Sequence, residues 1–281
     1  MKELSGKVAV VTGAASGIGR ALAEHFASVG MRLVLADIEK APLESVAAAL
    51  RGAGSEVEAV AIDVSEAGEL EALAERCTAR FGGAHVLCNN AGIAVTGVVW
   101  EVAIEDWSWV VGVNLFGVIN GIHAFLPRML ASGEKGHIVN TASIAGLTSP
   151  GFFGPYNVTK HAVVTLSETL HAELTASDAK IGVSVLCPGW VQTRLHESER
   201  NKPGAAGDEP GDPDKEALRN IIGGLLAGGI TPEQVARAVA EAIRENRFWI
   251  RTHPEMEPAV KVRCEAVIAA ETPPAMFPTE M

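Results

Sequence analysis

The sequence predicts an α/β fold: a single domain built on a doubly wound parallel sheet of about seven strands, with helices on both faces. Three observations carry this. Short apolar runs rich in β-branched residues alternate with longer amphipathic stretches from residue 7 to residue 250. The first run, Val8-Ala9-Val10-Val11, leads straight into a glycine-rich turn and a helical segment. The second, Arg32-Leu33-Val34-Leu35-Ala36, ends on an acid, Asp37. Unbroken apolar runs of this length suit strands buried on both faces, as parallel strands are.

Taken in order, strands are expected near 7–11, 32–36, 56–61, 84–88, 136–141, 181–187 and 247–250. Helices are expected over 17–29, 40–52, 66–81, 103–131, 155–177 and 231–245. Residues 194–230 are rich in Gly, Pro and charge and fall within a domain expected to span 1–251. Residues 252–281 form a C-terminal extension with a helical stretch near 255–271. It either covers the pocket, packs on a neighbouring subunit or lies loose at its end.

The turn Thr12-Gly13-Ala14-Ala15-Ser16-Gly17-Ile18-Gly19 joins the first strand to the first helix. Glycines there let backbone approach a pyrophosphate, and the helix N-terminus offers free N–H groups and a positive dipole end. Their spacing is Gly-x-x-x-Gly-x-Gly, not the Gly-x-Gly-x-x-Gly of the general dinucleotide fingerprint. Asp37, about twenty residues on, is placed to accept hydrogen bonds from an adenosine ribose 2′-OH. The single tyrosine, Tyr156, stands one helical turn before Lys160, which puts both side chains on one face. An ammonium beside a phenol favours the phenolate and makes it a usable base. Tyr-x-x-x-Lys alone also occurs on ordinary amphipathic helices. Ser143, upstream of it, completes a set suited to a carbonyl or carbinol oxygen.

Together, Thr12–Gly19, Asn89-Asn90-Ala91-Gly92, Asn114, Ser143, Tyr156, Lys160 and Pro188-Gly189 resemble the pattern of the short-chain dehydrogenase/reductase family, from about Lys7 to Thr193. The resemblance implies a Rossmann-like domain with a lid at 194–230, and hydride transfer between a nicotinamide and an alcohol or ketone. It implies that Tyr156 moves the substrate proton, that Ser143 donates to the substrate oxygen, and that Lys160 tunes Tyr156 and holds the nicotinamide ribose. It gives Asn114 a bend in its helix and a water relay beside Lys160; a satisfied core amide is the other reading. It places Gly13, Ser16, Gly17, Ile18, Gly19, Asp37, Asp63, Val64, Asn90, Ala91, Gly92, Pro188, Gly189, Val191 and Thr193 around the cofactor, with Asp63 toward the adenine amino group and Thr193 toward the carboxamide. Asp63 or Ser65 also suits the N-cap of the helix at 66–81.

Cofactor choice follows from charge. Asp37 repels a 2′-phosphate, and Ser16 and Ile38 stand where NADP-preferring relatives usually carry a base. Arg32 and Lys40 are the only nearby cations in sequence. The expected cofactor is NAD.

Composition excludes other classes. The chain of 281 residues is 48 % apolar, enough for a large core, and its net charge of −11 argues against a nucleic-acid surface. No unbroken run of about 18 apolar residues is present, and no basic leader precedes the first strand, so no membrane partner is expected. The eight histidines and four cysteines lack His-x-x-x-His and Cys-x-x-Cys spacings, so no metal is expected. Cys88 and Cys187 fall in expected strands and read as small hydrophobes, consistent with a reducing, cytoplasmic setting.

Substrate is less legible. The loop 144–155 carries Phe152-Phe153, and Trp190 follows the Pro-Gly turn. These are either pocket walls or core and interface contacts. Trp100, Trp107 and Trp109 are expected to pack the helix at 103–131. His196-Glu197-Ser198, Asn201-Lys202-Pro203 and Thr252-His253-Pro254 resemble short segments of bacterial aryl-ether Cα-dehydrogenases. A homodimer or homotetramer built on helices 103–131 and 155–177 is implied by the family. The alternatives are an NADP-dependent ketone reductase and a dinucleotide-binding regulator without turnover.

Overall fold

The computed structural model describes residues 1–204 and 213–277. The part of the expected lid at 205–212 lies outside them. Seven parallel strands form one sheet in the order β3-β2-β1-β4-β5-β6-β7. They are β1 Val8–Thr12, β2 Arg32–Asp37, β3 Val57–Ala61, β4 Val86–Asn89, β5 Gly136–Thr141, β6 Ile181–Cys187 and β7 Trp249–Arg251. The helices are α1 Gly17–Ser28, α2 Lys40–Gly52, α3 Ala67–Phe81, α4 Ile104–Val111, α5 Gly117–Ser132, α6 Gly154–Ala176, α7 Pro213–Ala227, α8 Pro232–Glu245 and α9 Glu257–Ala269.

The period-2 alternation of the strands splits the core. Ala9, Val11, Leu33 and Leu35 face α1, α2 and α8, while Val8, Val10, Val34 and Ala36 face α3, α5 and α6. Burying both faces explains why the strands read as continuous apolar runs. Strand order reverses between β1 and β4, and open α/β sheets bind ligands outside the strand ends at such a point.

Four expectations are corrected. The stretch 103–131 is not one regular helix: α4 and α5 are joined by a π-turn at Gly112–Phe116. That run, Ile104–Ser132, is long and apolar enough by length and mean hydropathy (1.6) to cross a membrane. Val118, Ala124, Phe125 and Met129 from it are buried in the core. Neither Asp63 nor Ser65 caps α3, because the helix begins after Glu66 and Asp63 instead accepts from the N–H and hydroxyl of Ser65. Trp100 packs nothing, being 81 % exposed. The lid is more structured than its composition suggests, with a 3₁₀ turn at Leu195–Asn201 and the helix α7.

Candidate active site

The cleft at the β1/β4 switch point is built from backbone. Thr12 Oγ1 accepts from the N–H groups of Asn90 (2.9 Å) and Ala91 (3.0 Å), and Asn90 Nδ2 donates to the Thr12 carbonyl. These bonds lock the Gly-rich turn against the Asn90-Ala91-Gly92 segment. Gly13 has φ +68°, and a Cβ there would stand 2.9 Å from Ala91 Cα. A Cβ on Gly19 would collide with the Gly13 carbonyl. Gly19 therefore packs α1 against the turn and does not line the cleft, whereas Gly13, Ser16, Gly17 and Ile18 do. The N-terminus of α1 has no side-chain cap and no acid in its first turn. Its free N–H groups and positive dipole end suit a pyrophosphate.

Asp37 borders the cleft but is only 8 % exposed, accepting from the N–H of Ala15 and of Glu39 at 2.9 Å each. Burial raises its carboxyl above the usual range, and the two N–H donors oppose that. Asp63, Val64, Pro188, Gly189, Val191 and Thr193 also line the cleft. The residues present fit a dinucleotide.

Ser143, Tyr156 and Lys160 meet at one end of this cleft. The Ser143 and Tyr156 hydroxyls are hydrogen-bonded, and burial pushes the phenol up to about 12. Lys160 Nζ lies 5.4 Å from the Tyr156 ring centroid and donates to the Thr141 carbonyl at 2.9 Å. Burial lowers the Lys160 ammonium to about 8. In the unliganded chain burial therefore acts against the phenolate form of Tyr156, and the hydrogen bond with Ser143 opposes that. The Lys160 ammonium is engaged with the Thr141 carbonyl.

Asn114 sits wholly buried in the π-turn. Its Oδ1 accepts from Ile93 N–H (2.8 Å), and its Nδ2 donates to the Ile93 carbonyl (2.9 Å) and to Thr159 Oγ1 (3.2 Å). The side chain thus clamps the segment after Gly92, and a Cβ on Gly92 would lie 3.4 Å from both Asn114 Oδ1 and Lys160 Nζ.

A second cavity of about 200 Å³ shares Ser143, Tyr156, Gly189, Leu195 and Leu226 with the cleft. Ile144, Ala145, Phe153, Trp190 and Ile222 give it apolar walls, and His196, Glu199, Lys215 and Arg219 also border it. Phe152 is not among these residues. It is 39 % exposed, with φ +67°, and its ring packs on Phe277 of the C-terminal segment.

The positions of two residues in the site escaped the sequence reading, although Thr252-His253-Pro254 was noted there for its resemblance. Arg200 reaches the cleft beside Asp37 and pairs with Glu39 at 3.0 Å, so Arg32 and Lys40 are not the only nearby cations. His253 is buried behind the Pro188-Gly189 turn. Arg200 and Glu39 are 161 residues apart in the chain, which no local pattern marks.

A doubly wound sheet with a dinucleotide cleft ending at a serine, tyrosine and lysine defines a nicotinamide-dependent oxidoreductase class. The short chain dehydrogenase family model matches residues 7–204, and the chain belongs to that family. It is similar over 97 % of its length to a CLA biosynthesis dehydrogenase/reductase of Lactiplantibacillus plantarum (32 % identical, 97 % of that protein covered). It is equally similar to a C alpha-dehydrogenase of Sphingobium sp. (32 % identical, 97 % of this chain and 89 % of that protein). A solved short-chain dehydrogenase/reductase of Burkholderia phymatum, in complex with NAD, superposes with TM-score 0.95 at 43 % identity over 99 % of each chain. The protein is an alcohol dehydrogenase/ketoreductase of the short-chain type.

Proposed function

We propose that the protein is an NAD-dependent oxidoreductase acting on a bulky apolar or aromatic secondary alcohol and its ketone. The observation that carries this is the junction of the two cavities at Ser143 and Tyr156. NAD is supported by the buried Asp37 at the ribose position and by the NAD complex of the Burkholderia relative. When bound, the nicotinamide is the hydride acceptor or donor. The rest falls to the chain's own residues.

Tyr156 moves the proton at the substrate oxygen, and Ser143 donates a hydrogen bond to that oxygen as its charge changes. For ketone reduction Tyr156 already holds the proton it must give. For oxidation it must become phenolate, and Lys160 is the cation within reach to favour that form. Asn114, whose amide is engaged by Ile93 and Thr159, holds the wall beside Lys160, where a water would carry protons from Lys160 toward solvent. The cavity walls favour carbon over hydroxyls, because a polyol would leave polar groups unpaired. Exposed Ile104, Phe116 and Val158 on α4, the π-turn and α6 support a homodimer or homotetramer. The four free cysteines support a reducing, cytoplasmic setting.

A panel of aryl and alkyl secondary alcohols, sugars and polyols with NAD or NADP tests the reading. Aryl alcohols with NAD should be turned over best, and Phe153→Ala should lower their kcat/KM by about 1–3 kcal/mol of transition-state binding. Efficient sugar oxidation would overturn the substrate class. Tyr156→Phe should keep cofactor binding and lose about a hundredfold or more in rate. A variant retaining a tenth of the activity would remove Tyr156 from its role. One observation favours a second reading: Arg200 beside Asp37 offers a partner for a 2′-phosphate, and NADP-dependent reduction would follow if Glu39 released it.

A further inference from the structure

We infer that His253 is a positioning residue for hydride transfer: it fixes the Gly189–Trp190 peptide that walls both the cofactor cleft and the substrate cavity. This rests on the oxidoreductase reading above. His253 lies just past β7 and is 5 % exposed. Its Nδ1 accepts from the Gly189 N–H at 2.9 Å, and its Nε2 lies 2.9 Å from the Trp190 carbonyl. Thr252 Oγ1 is 2.8 Å from Nδ1. A backbone N–H only donates and a carbonyl only accepts, so the ring is neutral with its proton on Nε2, and Thr252 donates its hydroxyl proton to Nδ1.

The imidazole borders neither cavity and acts through the peptide it holds. Gly189 borders both. A Cβ on Gly189 would lie 2.8 Å from His253 Cγ and would also collide with Met256, so the turn is pressed directly on the segment after β7. Behind Gly189, the Pro188 carbonyl accepts from Ile144 N–H at 2.8 Å and lies 3.4 Å from Ser143 Oγ. One turn therefore touches Ser143, the nicotinamide-side wall and the Trp190 wall. The Trp190 carbonyl also accepts from Ile230 N–H at 3.1 Å, so His253 chiefly fixes the Gly189 side of the turn. Releasing it lets that side shift, and a displacement of about 1 Å in such a site costs roughly a hundredfold in rate.

The experiment compares His253→Ala, His253→Asn and His253→Gln in the full chain. An Asn oxygen can replace the Nδ1 acceptor for Gly189, whereas a Gln amide reaches toward the Trp190 carbonyl alone. Steady-state kinetics use the best alcohol from the panel, and NADH affinity is read by energy transfer from tryptophan, which needs no turnover. His253→Ala should lower kcat by about 10- to 100-fold with a much smaller change in alcohol KM, and His253→Asn should recover to within about threefold of wild type. A folded His253→Ala with kcat within twofold of wild type overturns the proposal, as does His253→Asn as slow as His253→Ala. Should the Ala variant fail to fold, the other pair decides: Asn faster than Gln by about tenfold supports the role, and equal rates overturn it. If the wild type turns over no alcohol or ketone with either cofactor, the oxidoreductase reading fails by itself. NADH affinity then decides: weakening in His253→Ala restored by Asn supports the positioning of the turn, and unchanged affinity refutes it.

Discussion

At the residue scale, cofactor choice rests on Asp37 and on the charges it meets. Asp37 was legible because it closes a local pattern, an apolar strand ending on an acid. Its neighbour Arg200 was not, since it arrives from the lid. Arg200 is balanced by Glu39, whose carboxyl it holds below the usual range through a direct hydrogen bond. With that pair closed, Asp37 dominates, and the wild type should favour NAD over NADP by at least about tenfold in kcat/KM. Asp37→Ala with Ile38→Arg removes a repulsive charge and adds a planar partner for phosphate, so the ratio should narrow or reverse. Glu39→Gln should act in the same direction through a different atom set, raising NADP use by several-fold because Arg200 loses its anion. Measured kcat/KM ratios check both. Equal use of the two cofactors by the wild type would refute the role of Asp37, and an unmoved ratio in Glu39→Gln would show that Arg200 does not reach the 2′ position.

At the element scale, the apolar run at 103–131 was legible as helix, and the family resemblance implied a bend at Asn114, but the form of the break was not legible. Gly112 and Gly117 bound the π-turn without specifying it; the reason lies in what packs there. A Cβ on Gly117 would press on Val64, and the widened turn lets Asn114 reach the backbone of Ile93. Single-turn π insertions often occur where a helix side chain must serve a site. A buried amide at 114 was the only sign in the sequence, and it pointed to a partner without naming one. Asn114→Ala leaves the Ile93 N–H and carbonyl buried and unpaired by that side chain. At about 1–3 kcal/mol for each of the two unsatisfied groups, stability should fall by roughly 2–6 kcal/mol. Urea denaturation at neutral pH measures this. A loss below about 0.5 kcal/mol would mean that the Ile93 segment does not depend on the clamp.

At the scale of the whole molecule, the sheet and its two cores were legible because strand alternation and parallel topology are written in every apolar run, while contacts made across the chain were not. His137 on β5 shows the consequence for stability. It is fully buried, its Nε2 lies 2.7 Å from Ser184 Oγ, and burial drives its pKa down to about 3. The unfolded chain takes up this proton below about 6.5, but the folded chain resists until about 3. The unfolded state thus binds more protons in that window, and stability is lost as pH falls through it. At pH 5 the deficit is about 2 kcal/mol, and His137→Gln should flatten this acid limb in a pH series of denaturation midpoints. The C-terminal segment was left open in sequence between cover, interface and loose end; Met276 and Phe277 pack on the loop before α6. Gly151 N–H donates to the Met276 carbonyl at 2.8 Å, and Phe277 packs on Phe152. Phe152 holds φ +67°, a backbone conformation that costs a non-glycine residue about 1 kcal/mol or more and needs such support. The next residue, Phe153, is a wall of the substrate cavity. Truncation after Glu271 leaves α9 closed and removes this brace. It should lower kcat/KM for bulky aryl alcohols by about tenfold, the scale of a loosened apolar wall. NADH affinity and turnover of a small alcohol such as 2-butanol should stay within about twofold, since neither uses that wall. Loss shared equally by large and small alcohols would show instead that the segment supports the whole fold, and no loss at all would leave Phe153 held by its own helix.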